Sequence, residues 1–118
     1  MQPYERFEAW QLCHQLVLVI YRSTTGFPLE ERFGLTSQAR RAAFSAAANI
    51  VEGAAKRGRA EFRRFLDISL GSLAELGYIL CLARELEFLT PEASRQLGDL
   101  HTRASKATWG LYRAMAKR

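Results

Sequence analysis

Gln38-Ala39-Arg40-Arg41-Ala42-Ala43-Phe44-Ser45-Ala46-Ala47-Ala48-Asn49-Ile50-Val51-Glu52-Gly53 is the stretch that decides the fold. On a helical wheel Ala39, Ala42, Ala43, Ala46 and Ile50 form one apolar side, while Phe44, Ala47, Ala48, Val51 and Ala55 form another. Gln38, Arg41, Ser45, Asn49 and Glu52 recur between them at three- and four-residue steps as a narrow polar stripe. A helix in a lone bundle needs one apolar stripe. A second stripe is covered either by another copy of the chain or by neighbours that make this the most enclosed helix of a monomer, and the alanines let backbones approach closely.

Three more helical patterns flank this one, and no strand pattern competes with them. Phe7, Trp10, Cys13, Val17, Ile20 and Thr24 recur at helical steps, so the first helix is predicted over 5–24, ended by Gly26 and Pro28. Pro28 can open a short turn and Gly34 can close it, with Phe27 and Phe33 expected to hold this connection to the bundle. The second helix is predicted over 36–56 and the third over 59–88, with Lys56-Arg57-Gly58 as the turn between them. The third helix also has two apolar faces, one with Phe62, Leu66, Ser69, Leu73, Leu76 and Leu80, the other with Phe65, Ile68, Ser72, Ile79 and Leu82. Thr90 as cap, Pro91 at the first helical position and Glu92 at the positive end begin a fourth helix over 91–117. Residues 1–118 thus read as a single all-α domain, a four-helix bundle.

Composition narrows the class. The start Met1-Gln2-Pro3-Tyr4-Glu5 lacks a charged-then-apolar signal pattern, and no apolar run was evident that approaches the roughly 20 residues of a membrane span. Cys13 and Cys81 are far apart, form no Cys-x-x-Cys pair and sit in apolar helical patterns, so both read as reduced core thiols. A cytoplasmic protein without a membrane partner is the expectation. Seventeen Lys and Arg against twelve Asp and Glu give a net charge of +5. Arginine dominates the excess, which favours planar contact with phosphate or carboxylate. From Arg40 to Arg64 the basic residues Arg40, Arg41, Lys56, Arg57, Arg59, Arg63 and Arg64 meet only Glu52 and Glu61. From Arg103 onward, Arg103, Lys106, Arg113, Lys117 and Arg118 meet no acid. Two basic zones can form a nucleic-acid surface; the alternative is a solvated face with cations at helix C-termini.

Catalytic and metal patterns are absent at this level. Neither His14 nor His101 has a Glu three residues before it, as a di-iron bundle needs, and the adjacent Cys13 and His14 splay apart on a helix. No metal, cofactor or catalytic residue is assigned. Gly53, Gly58, Gly71 and Gly77 read as helix ends or close-packing points. Asn49, Glu52, Ser72 and Glu75 interrupt apolar helices and, with Arg41, are expected to form a buried polar network that fixes helix register or subunit pairing.

Phe27-Pro28, Phe33-Gly34-Leu35-Thr36-Ser37-Gln38-Ala39-Arg40-Arg41-Ala42, Asn49-Ile50-Val51-Glu52-Gly53, Phe62 with Phe65-Leu66, and Gly71-Ser72 with Glu75-Leu76 together resemble the family of four-helix bundle proteins found in intervening sequences of 23S rRNA genes. The resemblance runs from Phe7 to Leu89. It implies an up-and-down bundle assembling into a homopentameric ring, and kinship with the accessory protein of diversity-generating retroelements, which is similarly basic and linked to nucleic acid. Where family members often carry Ser or Thr before the Glu-Phe of the third helix, this chain has Gly58-Arg59-Ala60, which adds charge and removes a cap.

The resulting expectation is a non-enzymatic oligomer that binds RNA or DNA phosphates. Arg57, Arg59, Arg63 and Arg64 lead, supported by Arg40, Arg103, Arg113, Lys117 and Arg118. The rival is an adaptor that holds a protein partner on its ring, with its charge serving solubility.

Overall fold

A computed structural model describes residues 1–116, and Lys117 and Arg118 lie outside the described residues. A 3-10 turn, Pro3–Arg6, leads into α1 (Glu8–Thr24); a second such turn, Leu29–Glu31, leads into α2 (Leu35–Ala54), followed by α3 (Arg59–Glu85) and α4 (Pro91–Ala116). Among the described residues there is no strand. Each helix packs on its sequence neighbours and α1 also packs on α4, while the backbones of the diagonal pairs stay farther apart. This is an up-and-down four-helix bundle, 46 Å long and 24 Å across.

Alanine decides how the core closes. Ala39, Ala42, Ala43 and Ala46 are buried on α2 beside Ile50, and most of the large side chains come from the other helices, including Leu16, Ile20, Leu66, Leu73, Leu76 and Leu97. Small residues on one helix leave room for the leucines of its neighbours, the complementarity on which close packing rests. Gly53 takes this furthest: a Cβ there would stand 2.8 Å from Phe62 Cδ1 and 2.9 Å from Phe65 Cβ, so α2 and α3 touch backbone to ring at their shared end. Buried hydroxyls are met internally, since Ser69 donates to the Ala46 carbonyl at 2.6 Å, Thr108 to Ala104 at 2.8 Å and Thr24 to Ile20 at 2.7 Å. Among the described residues no buried side-chain nitrogen or oxygen lacks a partner.

Several expectations are corrected here. α1 begins at Glu8 because Phe7 is extended (φ −87°, ψ 125°) and its ring packs edge-on against Phe62 at 5.4 Å. α3 stops at Glu85, three residues early, because Glu87 adopts φ 62° and Phe88 N–H returns to the Ala83 carbonyl at 2.9 Å. With Glu87 N–H on the Arg84 carbonyl at 3.0 Å, this is a Schellman closure built on a residue other than glycine. It turns Phe88 onto Phe27, ring centroids 5.5 Å apart. Phe27 therefore holds the α1–α2 connection to the bundle, but Phe33 does not: it is 88% exposed. Cys13 is a buried thiol, whereas Cys81 is only partly buried and faces Glu85; both are free. Gly71 is exposed in mid-helix with open space around it, neither an end nor a packing point.

α3 is also long and apolar enough to cross a bilayer by length and composition, with a window of mean hydropathy 1.6, where no such run was expected. Asp67 and Glu75 interrupt it. Its outward side carries the exposed Ile68, Gly71, Ala74 and Tyr78, whereas of the second apolar face expected from the sequence only Ile68 is exposed: Phe65, Ser72 and Ile79 are buried and Leu82 is partly buried.

Candidate nucleic-acid interface

The α2–α3 turn sets the site. Gly58 adopts φ 85°, a conformation that side-chain-bearing residues rarely take, and its carbonyl accepts from Phe62 N–H at 3.3 Å to begin α3. This sharp reversal leaves Lys56, Arg57 and Arg59 exposed together. The aromatic Phe65 sits under two of the nearby cations, with Lys56 Nζ 5.3 Å and Arg64 Cζ 4.8 Å from the ring centre. Arg64 also pairs with Glu61 at 3.3 Å, both side chains well exposed, so this pair contributes little stability and leaves the guanidinium reachable. Arg63 is half-buried.

The remaining elements arrive at the same half of the bundle. The Phe7–Phe62 contact brings the N-terminal segment, with Arg6 over Phe7 at 5.0 Å, to the turn. Cys13 Sγ lies 3.7 Å from Thr108 Oγ1, which places the second half of α4 beside the first half of α1. This half therefore carries Arg6, Lys56, Arg57, Arg59, Arg63, Arg64, Lys106 and Arg113 against Glu5, Glu8, Glu52, Glu61 and Asp67. The other half is balanced, with Arg22, Arg32, Arg40, Arg41, Arg84, Arg95 and Arg103 against Glu30, Glu31, Glu75, Glu85, Glu87, Glu92 and Asp99. The excess positive charge of the described residues is thus confined to one half of the long axis.

The sequence grouped Arg40 with the turn, and the fold separates them. Arg40 stands near the opposite end, where Nε donates to Thr24 Oγ1 at 2.9 Å, a second nitrogen donates to the Tyr21 carbonyl at 3.3 Å, and Cζ sits 4.8 Å over the Tyr21 ring. It ties α2 to α1 and is not part of the basic half. Arg103 is exposed at mid-helix and Arg113 is exposed in the last turn of α4.

Aromatic side chains are what sequence reasoning missed here. Trp109, 50% exposed, stacks on Tyr112 with centroids 5.4 Å apart and planes at 9°. Trp10 stacks on the exposed His14 at 4.9 Å, and Tyr4 meets Trp10 edge-on at 4.8 Å. A signal existed: Trp109 lies three residues after Lys106 and four before Arg113, in an acid-free segment.

The polar stripe forms a separate site on the α2–α3 face. Arg41 pairs with Glu75 and is held by Gln38 at 2.9 and 3.1 Å. Ser45 and Ser72 hydroxyls meet at 2.7 Å, and Asn49 donates to the Ser45 carbonyl at 2.8 Å. Two features differ from the expected buried network. Arg41 and Glu75 are about half exposed at 52% and 42% of their side chains, and Glu52 is exposed with its side chain outside the network. Phe44 (59% exposed) and Ile68 (43%) flank the stripe on α2 and α3. Among the described residues no group of three His, Cys, Asp or Glu side chains converges as metal ligands would. A groove of about 940 Å³ lies at the balanced end, where Arg84, Glu87, Arg95 and Asp99 mix both signs.

Comparison with known proteins agrees with this architecture. No functionally curated protein matches the chain. A crystal structure of a protein of unknown function from the S23 ribosomal protein family of Bacteroides thetaiotaomicron is similar in fold, with a TM-score of 0.78 and 23% identity, covering 88% of this chain and 97% of that one. The model of the 23S rRNA-intervening sequence protein family matches residues 5–110, and with nearly the whole bundle inside that match, the chain belongs to this family.

Proposed function

We propose that the chain is a non-enzymatic, cytoplasmic, oligomeric bundle that binds RNA or DNA through the phosphate backbone, using its basic half. One observation carries this reading: the positive excess is gathered on one half by the α2–α3 turn and the second half of α4, while the other half is balanced. Scattered surface cations would serve solubility equally well; their convergence is what a polyanion requires. Arg57, Arg59 and Arg63 lead, with Arg64 and Arg113 beside them. The family's tie to an rRNA intervening sequence makes structured RNA the first ligand to test. The free thiols are consistent with a reducing compartment.

The test is binding to structured RNA and duplex DNA over a salt series. Affinity is expected to fall linearly in log salt. Neutralising Arg57, Arg59 and Arg63 together should flatten the slope by roughly two to three units and weaken all sequences alike. Unchanged affinity in a folded triple variant overturns the reading. A second reading, an adaptor that holds a protein partner, is favoured by the exposed Phe44 and Ile68. The homopentamer implied by the family resemblance would cover this same face, with Arg41–Glu75 and Ser45–Ser72 fixing the register of the helices that form it.

A further inference from the structure

We propose that the nucleic acid bound at the basic half is an unpaired strand, whose bases stack on Trp109; the inference rests on the phosphate-binding reading above. Trp109 is a large aromatic side chain left half exposed on α4. Tyr112 lies parallel to it at 5.4 Å and holds the ring as a platform. Lys106, Trp109 and Arg113 follow at three- and four-residue steps, which puts a cation about one turn before and one turn after the indole on one exposed stripe of α4. No carboxylate occurs on α4 after Asp99.

The facing helix adds charge at the same level. His101 Nε2 lies 2.6 Å from the Leu73 carbonyl, and this contact fixes the register of the antiparallel α3 and α4. Counting equal rises along both helices from that contact brings Arg63 level with Leu111 and Tyr112. The surface is thus an aromatic platform bordered by cations from two helices. A duplex presents phosphates and base edges to such a surface, but its base faces are already stacked. An unpaired strand presents both phosphate and base face, and stacking on an aromatic ring is tolerant of sequence.

Binding of a fluorescein-labelled oligothymidylate and oligouridylate of about 20 nucleotides, and of a hairpin duplex of equal charge, should be measured with wild type, Trp109→Phe, Trp109→Ala and the Arg57/Arg59/Arg63 triple variant. Wild type is expected to prefer the unpaired probes. Trp109→Ala should lose about tenfold on them, within the range of single stacking contacts, and less than twofold on the hairpin. Trp109→Phe should retain most of the affinity, because a phenyl ring still stacks. Wild-type tryptophan emission should be quenched by oligothymidylate, and the emission left in Trp109→Phe, from Trp10 alone, should not. Equal losses on both probe types, no loss, or a change in oligomer size in Trp109→Ala overturns the proposal. If the arginine variant loses affinity and Trp109→Ala does not, only the stacking platform fails. If wild type binds neither probe, the phosphate reading falls with it.

Discussion

Ser45 and Ser72 face each other across the α2–α3 contact with their hydroxyl oxygens 2.7 Å apart, while Asn49 donates to Ser45 Oγ at 3.1 Å. Ser72 is buried even in the single chain, so its hydroxyl depends on Ser45 for a partner. This makes the pair a register lock between two helices that are otherwise held by non-directional packing. A double-mutant cycle with Ser45→Ala and Ser72→Ala, read by urea unfolding, should return a coupling of about 1 kcal/mol. Additive single effects would remove the lock from the account.

Phe44 and Ile68 beside this lock are exposed enough that the bundle tolerates a charge at either position. Phe44→Glu and Ile68→Glu should therefore keep the helical circular-dichroism signal and shift the size by light scattering toward monomer. A wild-type protein that is already monomeric at micromolar concentration contradicts the assembly.

Glu87 closes α3 at φ 62°, where an L side chain costs about 1 kcal/mol or more and glycine costs nothing. Glu87→Gly should raise stability by roughly that amount without disturbing the Phe27–Phe88 contact. A lower unfolding midpoint would show that the Glu87 side chain, and not the backbone, governs this turn.

Cys13 is buried, and burial pushes its thiol up from 9.0 to about 11, against a smaller opposing effect of the Thr108 hydroxyl. The folded state holds this proton more tightly than the unfolded one, so the contribution is full below about pH 9 and is lost as pH rises toward about 11. Stability should fall over that window by about 2 to 3 kcal/mol more than in Cys13→Ala, which lacks the group. At pH 8 a thiol reagent should label the partly buried Cys81 and spare Cys13 until the protein unfolds. Equal labelling of both in the native state refutes the assignment.

The helices and their order were legible in the sequence because they rest on local chemistry. Ala39, Ala42, Ala43, Ala46 and Ile50 repeat at helical spacing, Thr90 caps α4 through a 3.1 Å bond from Ala93 N–H, and Gly58 supplies the positive φ of the tight turn. The second apolar face of α2 was equally visible in Phe44, Val51 and their neighbours. Boundaries set by contact were not. Phe7 leaves the helix to meet Phe62, and α3 ends at Glu85 because the chain reverses at Glu87 and Phe88 turns onto Phe27, a pairing of residues far apart in sequence.

For the site, the sequence by itself determined the cation inventory and the arginine-rich α2–α3 turn. Only the tertiary structure decided which charges belong together. Arg40 lies in the same helix that leads to Arg57, yet the length of α2 carries it to the other end of the bundle, where Thr24 and Tyr21 hold it. Arg113 is remote from the turn in sequence, yet the up-and-down topology returns α4 to the half that bears Arg57 and Arg63. Charge summed along a chain carries no direction. A helix separates its ends by about 1.5 Å for every residue, and the folding back of antiparallel helices, which depends on non-local packing, chooses which ends meet.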